Sequence, residues 1–197
     1  PNASYVIIPA RLASTRLPNK MLLAATGKSL IEHTYENACR ARRPQGVIVA
    51  TDHPDIVQAV HRAGGQAELT SPQCASGTDR VAEVATRLPD AGIIVNVQGD
   101  EPELDPSAID RVVELLEADP QAVMTTLATP IRSRQQLENP ACVKVVFDAA
   151  GRALYFSRSP IPFVRDAPEL RFDAQPPLFY QHLGIYAYRR DFLLQLA

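Results

Sequence analysis

Short, unbroken apolar runs alternate along this chain with stretches of helical period. Val6, Ile7 and Ile8 form the first run, stopped by Pro9, which cannot donate to a sheet ladder and so belongs at a strand end. From Ser29 to Arg42, SLIEHTYENACRAR places Leu30, Ile31, Thr34, Tyr35 and Ala38 on one face, and Ser29 with Glu32 makes a capping box; the pattern predicts an amphipathic helix. Gly46 to Ala50 (GVIVA) is apolar throughout and too short for a helix, the mark of a strand covered on both faces. A helix opening near Pro54 and stopped by Gly64 and Gly65 follows, then a strand over Gln66 to Thr70. Beyond the polar loop SPQCASGTDR, Thr78 is placed to cap a helix running through Leu88. Gly92 to Val97 (GIIVNV) is the strongest strand signal in the chain. Asp105 caps and Pro106 opens a helix to about Ala118, and Val123 to Ala128 returns as a strand.

Strand and helix in alternation imply right-handed crossovers: an α/β fold with a Rossmann-like, mostly parallel sheet and helices on both faces. The pattern shifts after Pro130. Val143 to Phe147 and Ala153 to Phe156, separated by Asp148, Ala149, Ala150 and Gly151, read as a hairpin. Pro160, Pro162, Pro168, Pro176 and Pro177 mark an irregular excursion, and a last strand, Leu183 to Tyr188, leads into a helix. The 197 residues fit a single domain, with a core over about 1–130 and a smaller hairpin-containing subregion over about 131–190.

The loop after the first strand concentrates charge. Arg11, Arg16 and Lys20 stand among Ala10, Ala13, Ser14 and Thr15 with no acidic residue between them, so three cations and backbone N–H groups can converge on one polyanion such as a triphosphate. A solvated basic loop is the plainer reading. Against it, ligands in open parallel sheets sit beyond the carboxyl ends of strands, and these cations have no local acidic partner. There is no glycine before Gly27, which excludes the dinucleotide-binding and P-loop glycine signatures here. Ser76, Gly77, Thr78 and Arg80 occupy a second strand-to-helix junction, and Gln98, Gly99, Asp100, Glu101 and Pro102 end the strongest strand. Asp100 is the metal candidate, since magnesium is held by one or two carboxylates together with substrate phosphates; a loop aspartate bonded to nearby backbone is the alternative.

Composition narrows the partners. Apolar residues make up 46% and charged residues 21%, ordinary for a globular protein, and a net charge of −2 argues against general nucleic-acid or membrane-surface binding. No apolar run approaches the ~20 residues that span a bilayer, and the start, PNASYVIIPA, shows neither a charged leader nor a cleavage site. Cys39, Cys74 and Cys142 are odd in number and widely spaced, so neither a disulfide framework nor a zinc site is expected. They read as packing residues in a reducing, cytoplasmic setting.

The blocks PARLASTRLPNKML, ATDHPDI, SGTDR, VNVQGDEP, NPACVKVV, ALYFSRSPIP and HLGIYAYR together resemble, in order and over nearly the whole chain, the 3-deoxy-manno-octulosonate (Kdo) cytidylyltransferases. The resemblance implies a nucleotidyltransferase that makes CMP-Kdo and pyrophosphate from CTP and Kdo with Mg2+, in the cytoplasm, for lipopolysaccharide biosynthesis, as a homodimer. It implies that Ala10, Arg11, Ser14, Arg16 and Lys20 hold the nucleotide. Ser76 and Arg80 would stand at its cytidine and phosphate end, and Arg11, Lys20 and Asp100 would be catalytic, with Asp100 on the metal. Gln98, Arg158, His182 and Tyr186 would bind the acid sugar, which makes the 131–190 subregion a sugar-binding and dimerisation part. A guanidinium for the carboxylate and hydrogen-bonding side chains for the hydroxyls suit such a sugar.

Taken singly, Arg158 also fits a surface ion pair, His182 a hydrogen-bonded structural histidine, and Tyr186 a core position. A cytidylyltransferase for another acid sugar, a sialic acid or an amino-Kdo, and a catalytically silent nucleotide-binding relative remain alternatives. Two departures from the family pattern stand out. Asn19 replaces the glycine that precedes the lysine, and asparagine tolerates positive φ, so the loop is expected to keep its shape. The family's C-terminal portion, with a further magnesium carboxylate, has no counterpart in these 197 residues.

Overall fold

The computed structural model describes residues 3–13, 17–165 and 171–197. The chain clusters into two compact units, Pro1–Thr125 with Ile185–Ala197, and Thr126–Gly184.

The first unit is built on a parallel sheet. β1 (Ala3–Ala10) lies between β2 (Gly46–Thr51) and β4 (Ala91–Asn96), with β3 (Gln66–Leu69) beyond β2. Ile7 faces Ile48 on one side and Asn96, the last residue of β4, on the other, so β1 continues past the end of β4 as far as Ala10. β8 (Tyr180–Arg189) starts in the second unit, and its residues from Tyr186 onward run antiparallel to β4, Asn96 opposite Tyr186 and Ile93 opposite Arg189. β5 (Met124–Pro130) pairs with β8. The expected parallel α/β core is present, and its antiparallel member is this last strand.

The period-2 alternation of the strands sorts the helices onto two faces. Ile7, Ile48, Ala50 and Ile94 pack with Val81, Val84 and Ala85 of α3 (Gly77–Thr86) and Leu193 of α6 (Arg190–Leu196). Val6, Ile8, Val49 and Val95, one residue out of phase, are equally buried outside that cluster. α1 (Leu30–Ala38) contacts both α2 (Pro54–Arg62) and α4 (Pro106–Ala118), and the three pack on the strands, burying Ile31, Ile56 and Val112. Asp105 caps α4 through Ser107 N–H, at the position read from sequence.

Three helix assignments differ from expectation. α1 ends at Ala38, a turn short of Arg42, because the Asp110 carboxylate accepts the backbone N–H groups of Arg42 and Arg43 at 2.9 and 2.8 Å and draws that segment out of the helical ladder. α3 is capped by Ser76, not Thr78: Ser76 and Asp79 form a reciprocal capping box, a spacing present in S-G-T-D. α5 (Arg134–Glu138), capped by Ser133, was not anticipated. The cysteines are also less buried than packing residues would be, Cys39 being exposed and Cys74 and Cys142 half-buried.

In the second unit, β6 (Lys144–Phe147) and β7 (Ala153–Ser157) form the anticipated antiparallel hairpin, and Ile131, Leu137 and Phe179 make a small core. Leu154, Tyr155 and Phe156 of β7 face solvent. Ile94, with no exposure on the central strand β4, should be costly to truncate: Ile94→Ala is expected to lower unfolding free energy in urea by about 2–5 kcal/mol, while Leu154→Ala, 66% exposed, should change it by under about 0.5 kcal/mol. Comparable losses at both positions would contradict this account of the core.

Candidate active site

The ends of β1 and β4 and the start of α3 enclose a cleft of about 550 Å3. Ala10 and Arg11 enter it from β1, Lys20 from the following loop, Ser76 and Gly77 from the first turn of α3, and Gln98 and Asp100 from beyond β4. The approach is close enough to demand glycine at position 99, where a Cβ would lie 2.9 Å from the Pro9 carbonyl oxygen and 3.3 Å from Met21 Sδ. The Gly99 carbonyl in turn accepts from the buried Thr34 hydroxyl of α1 at 2.9 Å. Asn19 takes the left-handed conformation that asparagine tolerates (φ 52°, ψ 30°), just before the 3-10 turn Lys20–Leu22. Ser14 and Arg16 lie outside the described residues.

Lys20 Nζ donates to Asp100 Oδ2 at 2.6 Å, with both side chains more than a third exposed. An exposed pair of this kind contributes about 0–1 kcal/mol, which a phosphate ligand can readily outcompete. Next to it, burial pushes the Glu101 carboxyl above its ordinary range, and the Asp100 carboxylate adds to the shift. The cleft therefore presents the Arg11 and Lys20 cations, the start of a ten-residue helix and one partly exposed carboxylate. Among the described residues no cluster of three acidic, histidine or cysteine ligands exists. A hard-oxygen carboxylate at a phosphate-sized, cationic cleft does fit a divalent ion carried largely by substrate phosphates.

Arg80 lines the same cleft yet is 4% exposed. Its Nη1 donates to the Thr70 hydroxyl and its Nη2 to Asp52 Oδ2 at 3.2 Å. Asp52, immediately after β2, uses its other oxygen to accept the Leu12 N–H at 3.1 Å. Sequence reasoning passed over Asp52, although an aspartate directly after a buried strand, opposite a cationic loop, was the available signal. This Arg80–Asp52–Leu12 chain ties α3 and β2 to the loop that carries Arg11. Cys74 also borders the cleft, where burial raises its thiol and the neighbouring Glu83 reinforces the shift, the opposite of an activated nucleophile.

The remaining expected residues are not among those that line this cleft. Tyr186 belongs to the first unit, half-buried beside Tyr188, its phenol pushed up by burial and by Glu101. Arg158 and His182 belong to the second unit. Arg158 is exposed and donates to the Pro140 carbonyl at 2.7 Å. His182 Nε2 is 2.8 Å from the Thr126 hydroxyl, its ring stands edge-on to Phe156, and burial lowers its basicity. A larger hollow of about 820 Å3, bordered by Tyr5, Tyr35 and Gln45, opens at the other end of the first unit's strands; it lacks the cations and the strand-end carboxylate of the first cleft.

Comparison with known proteins points the same way. The family model described as cytidylyltransferase matches residues 5–197. A 3-deoxy-manno-octulosonate cytidylyltransferase of Rhodopirellula baltica is 50% identical over 193 residues, 98% of this chain and 77% of the relative. The protein of the same name from Geobacter sulfurreducens is 49% identical over 195 residues, 97% and 78% of the two chains. Among solved structures, CMP:2-keto-3-deoxy-manno-octonic acid synthetase complexed with CTP superimposes with a TM-score of 0.89 at 42% identity, covering 98% of this chain and 77% of that one.

Asp52→Ala should strand the buried Arg80 guanidinium and release the Leu12 amide together. Breaking a buried pair from one side costs about 3–5 kcal/mol. The expected result is a destabilisation of that order in denaturant, with Leu12 N–H exchanging faster in native-state hydrogen exchange. Unchanged protection at Leu12 would remove Asp52 from the support of the loop.

Proposed function

We propose how this cleft works from the premise that the chain belongs to the cytidylyltransferase family, as a 3-deoxy-manno-octulosonate cytidylyltransferase. The enzyme forms CMP-Kdo and pyrophosphate from CTP and Kdo, a reaction that serves lipopolysaccharide biosynthesis. The anomeric hydroxyl oxygen of Kdo bonds to the α-phosphorus and gives up its proton, while the bond from that phosphorus to the bridging oxygen breaks and pyrophosphate leaves in line.

One observation carries the assignment of roles: Arg11, Lys20, Ser76, Gln98 and Asp100 share one cleft at the ends of parallel strands. In this reading Arg11 and Lys20 neutralise the triphosphate, with Ser14 and Arg16 of the same loop assisting. Ala10 and Ser76 border the nucleoside. Arg80 acts from beneath, by holding Asp52 and through it the loop, because its Nη1 and Nη2 are engaged inside the protein. Asp100 would hold Mg2+, which when bound supplies positive charge against the phosphate oxygens. Lys20 then turns from Asp100 to phosphate, exchanging a weak exposed pair for a stronger charge-assisted contact. Little covalent work falls to the protein, and positioning with charge neutralisation supplies the rate.

For the acceptor, Gln98 and Tyr186 of the first unit and Arg158 and His182 of the second are assigned to the acid sugar, with Arg158 taking the carboxylate. This makes the first unit the nucleotide-binding part and the second the part for sugar and self-association. Leu154, Tyr155 and Phe156 on β7 support a homodimer, since three successive large apolar residues exposed on an edge strand call for a partner surface. Three unpaired thiols support a cytoplasmic setting, and no helix among the described residues is long and apolar enough to cross a membrane.

The test is pyrophosphate release with CTP, UTP, ATP and GTP, each paired with Kdo and with N-acetylneuraminate. Turnover is expected with CTP and Kdo, to be abolished by EDTA and restored by Mg2+; preference for N-acetylneuraminate, or none for CTP, would contradict the assignment. Lys20→Ala should raise the KM for CTP about ten- to a hundredfold, the equivalent of roughly 1.5–3 kcal/mol for a charge-assisted contact, without unfolding the protein. Arg158→Ala should instead raise the KM for Kdo. Asp100→Asn, which keeps shape and loses charge, should abolish the response to Mg2+ while leaving thermal stability nearly unchanged.

A further inference from the structure

The second unit buries a lysine completely. Lys144, on β6, has no solvent exposure, and its Nζ donates to three backbone carbonyls: Asn139 at 3.0 Å, Cys142 at 2.8 Å and Arg158 at 2.7 Å. Three acceptors use all three N–H bonds of an ammonium, and a neutral amine has only two to give. The residue is therefore a buried cation held by dipoles. Among the described residues no carboxylate pairs with it, and none pairs with Arg158. Removing a charge from water without a counter-ion is expensive. A methionine would fill similar space on a strand without that cost, so what the ammonium contributes is geometric.

That geometry centres on Arg158. Lys144 fixes the Arg158 carbonyl directly. It also grips both ends of the turn Asn139–Cys142, and the carbonyl of Pro140, inside that turn, accepts from Arg158 Nη1 at 2.7 Å. Backbone and guanidinium of Arg158 are thus referenced to the same ammonium. The arginine is exposed, so without this frame its long side chain would sample many rotamers. Two neighbouring cations without an acid also leave net positive charge there, which suits an anionic ligand.

We propose that Lys144 is the positioning residue for Arg158, presetting that guanidinium to take up the carboxylate of the acid sugar. The inference rests on the reading of Arg158 given above. It assigns Lys144 no contact with substrate; the residue acts through Arg158 alone.

The experiment is a double-mutant cycle on the full chain with Lys144→Met, Lys144→Gln and Arg158→Ala, measuring KM for Kdo and for CTP separately. Lys144→Met is expected to raise the KM for Kdo about tenfold with CTP affinity held within about twofold, and to add less than about twofold when Arg158 is already alanine. Lys144→Gln, which keeps two donors, should fall between wild type and Lys144→Met. If Arg158→Ala raises the KM for Kdo but Lys144→Met does not, or if the effect of Lys144→Met persists undiminished in the Arg158→Ala background, this proposal is overturned and the reading of Arg158 stands. If Arg158→Ala leaves the KM for Kdo unchanged, both fall. Should Lys144→Met fail to fold, Lys144→Gln carries the same cycle; its failing to fold as well would make Lys144 a residue of the fold and overturn the proposal.

Discussion

The site depends on how closely two parallel strand ends can approach. At position 99 any side chain would meet the carbonyl oxygen of Pro9 at 2.9 Å, so glycine there lets the segment after β4 lie against the last residues of β1. The consequence is electrostatic. The β1 loop carries cations and the β4 loop carries a carboxylate, and their closeness puts Lys20 within 2.6 Å of Asp100. Neither charge is buried, so their attraction stays small in water. A cleft built this way holds its two charges in a weak mutual contact that a polyanion could displace.

A second, buried set of charges carries the load that the cleft does not. Arg80, Asp52 and Thr70 are joined beneath the loop, and the Leu12 amide hangs from the free oxygen of Asp52. The desolvated pair is costly to break from one side, whereas the exposed pair is cheap to rearrange. Rigidity and adaptability are thereby divided between a buried pair and an exposed one. The second unit uses the same device with different chemistry, an ammonium held by three carbonyls behind an exposed arginine.

Much of this was legible in the sequence because it rests on local periodicity. The apolar runs at Val6–Ile8, 46–50 and 92–97 became β1, β2 and β4, and Asp105 with Pro106 opened α4 where expected. The cationic loop and Asp100 could be chosen since a strand end without local partners has few structural uses for charge. What stayed hidden depends on contacts distant in sequence. The end of α1 is set by Asp110, some seventy positions away, and the role of Arg80 by Asp52 and Thr70. Lys144 reads as an alternating polar residue on a hairpin strand, and nothing nearby in sequence says that its ammonium is enclosed. The cap at Ser76 was local and still missed, because Thr78 in S-G-T-D offered a competing cap two residues later.

The central claim is that the triphosphate occupies the cleft between the β1 loop and the β4 end and takes Lys20 from Asp100. A crystal structure of the protein soaked with CTP and Mg2+ tests it most directly. The account predicts phosphate oxygens on Arg11 and Lys20, the metal on Asp100, the Lys20–Asp100 contact opened and the Arg80–Asp52–Leu12 chain unchanged. Nucleotide bound in the hollow bordered by Tyr5 and Tyr35, or bound in the cleft with the Lys20–Asp100 pair intact at its present distance, would contradict it.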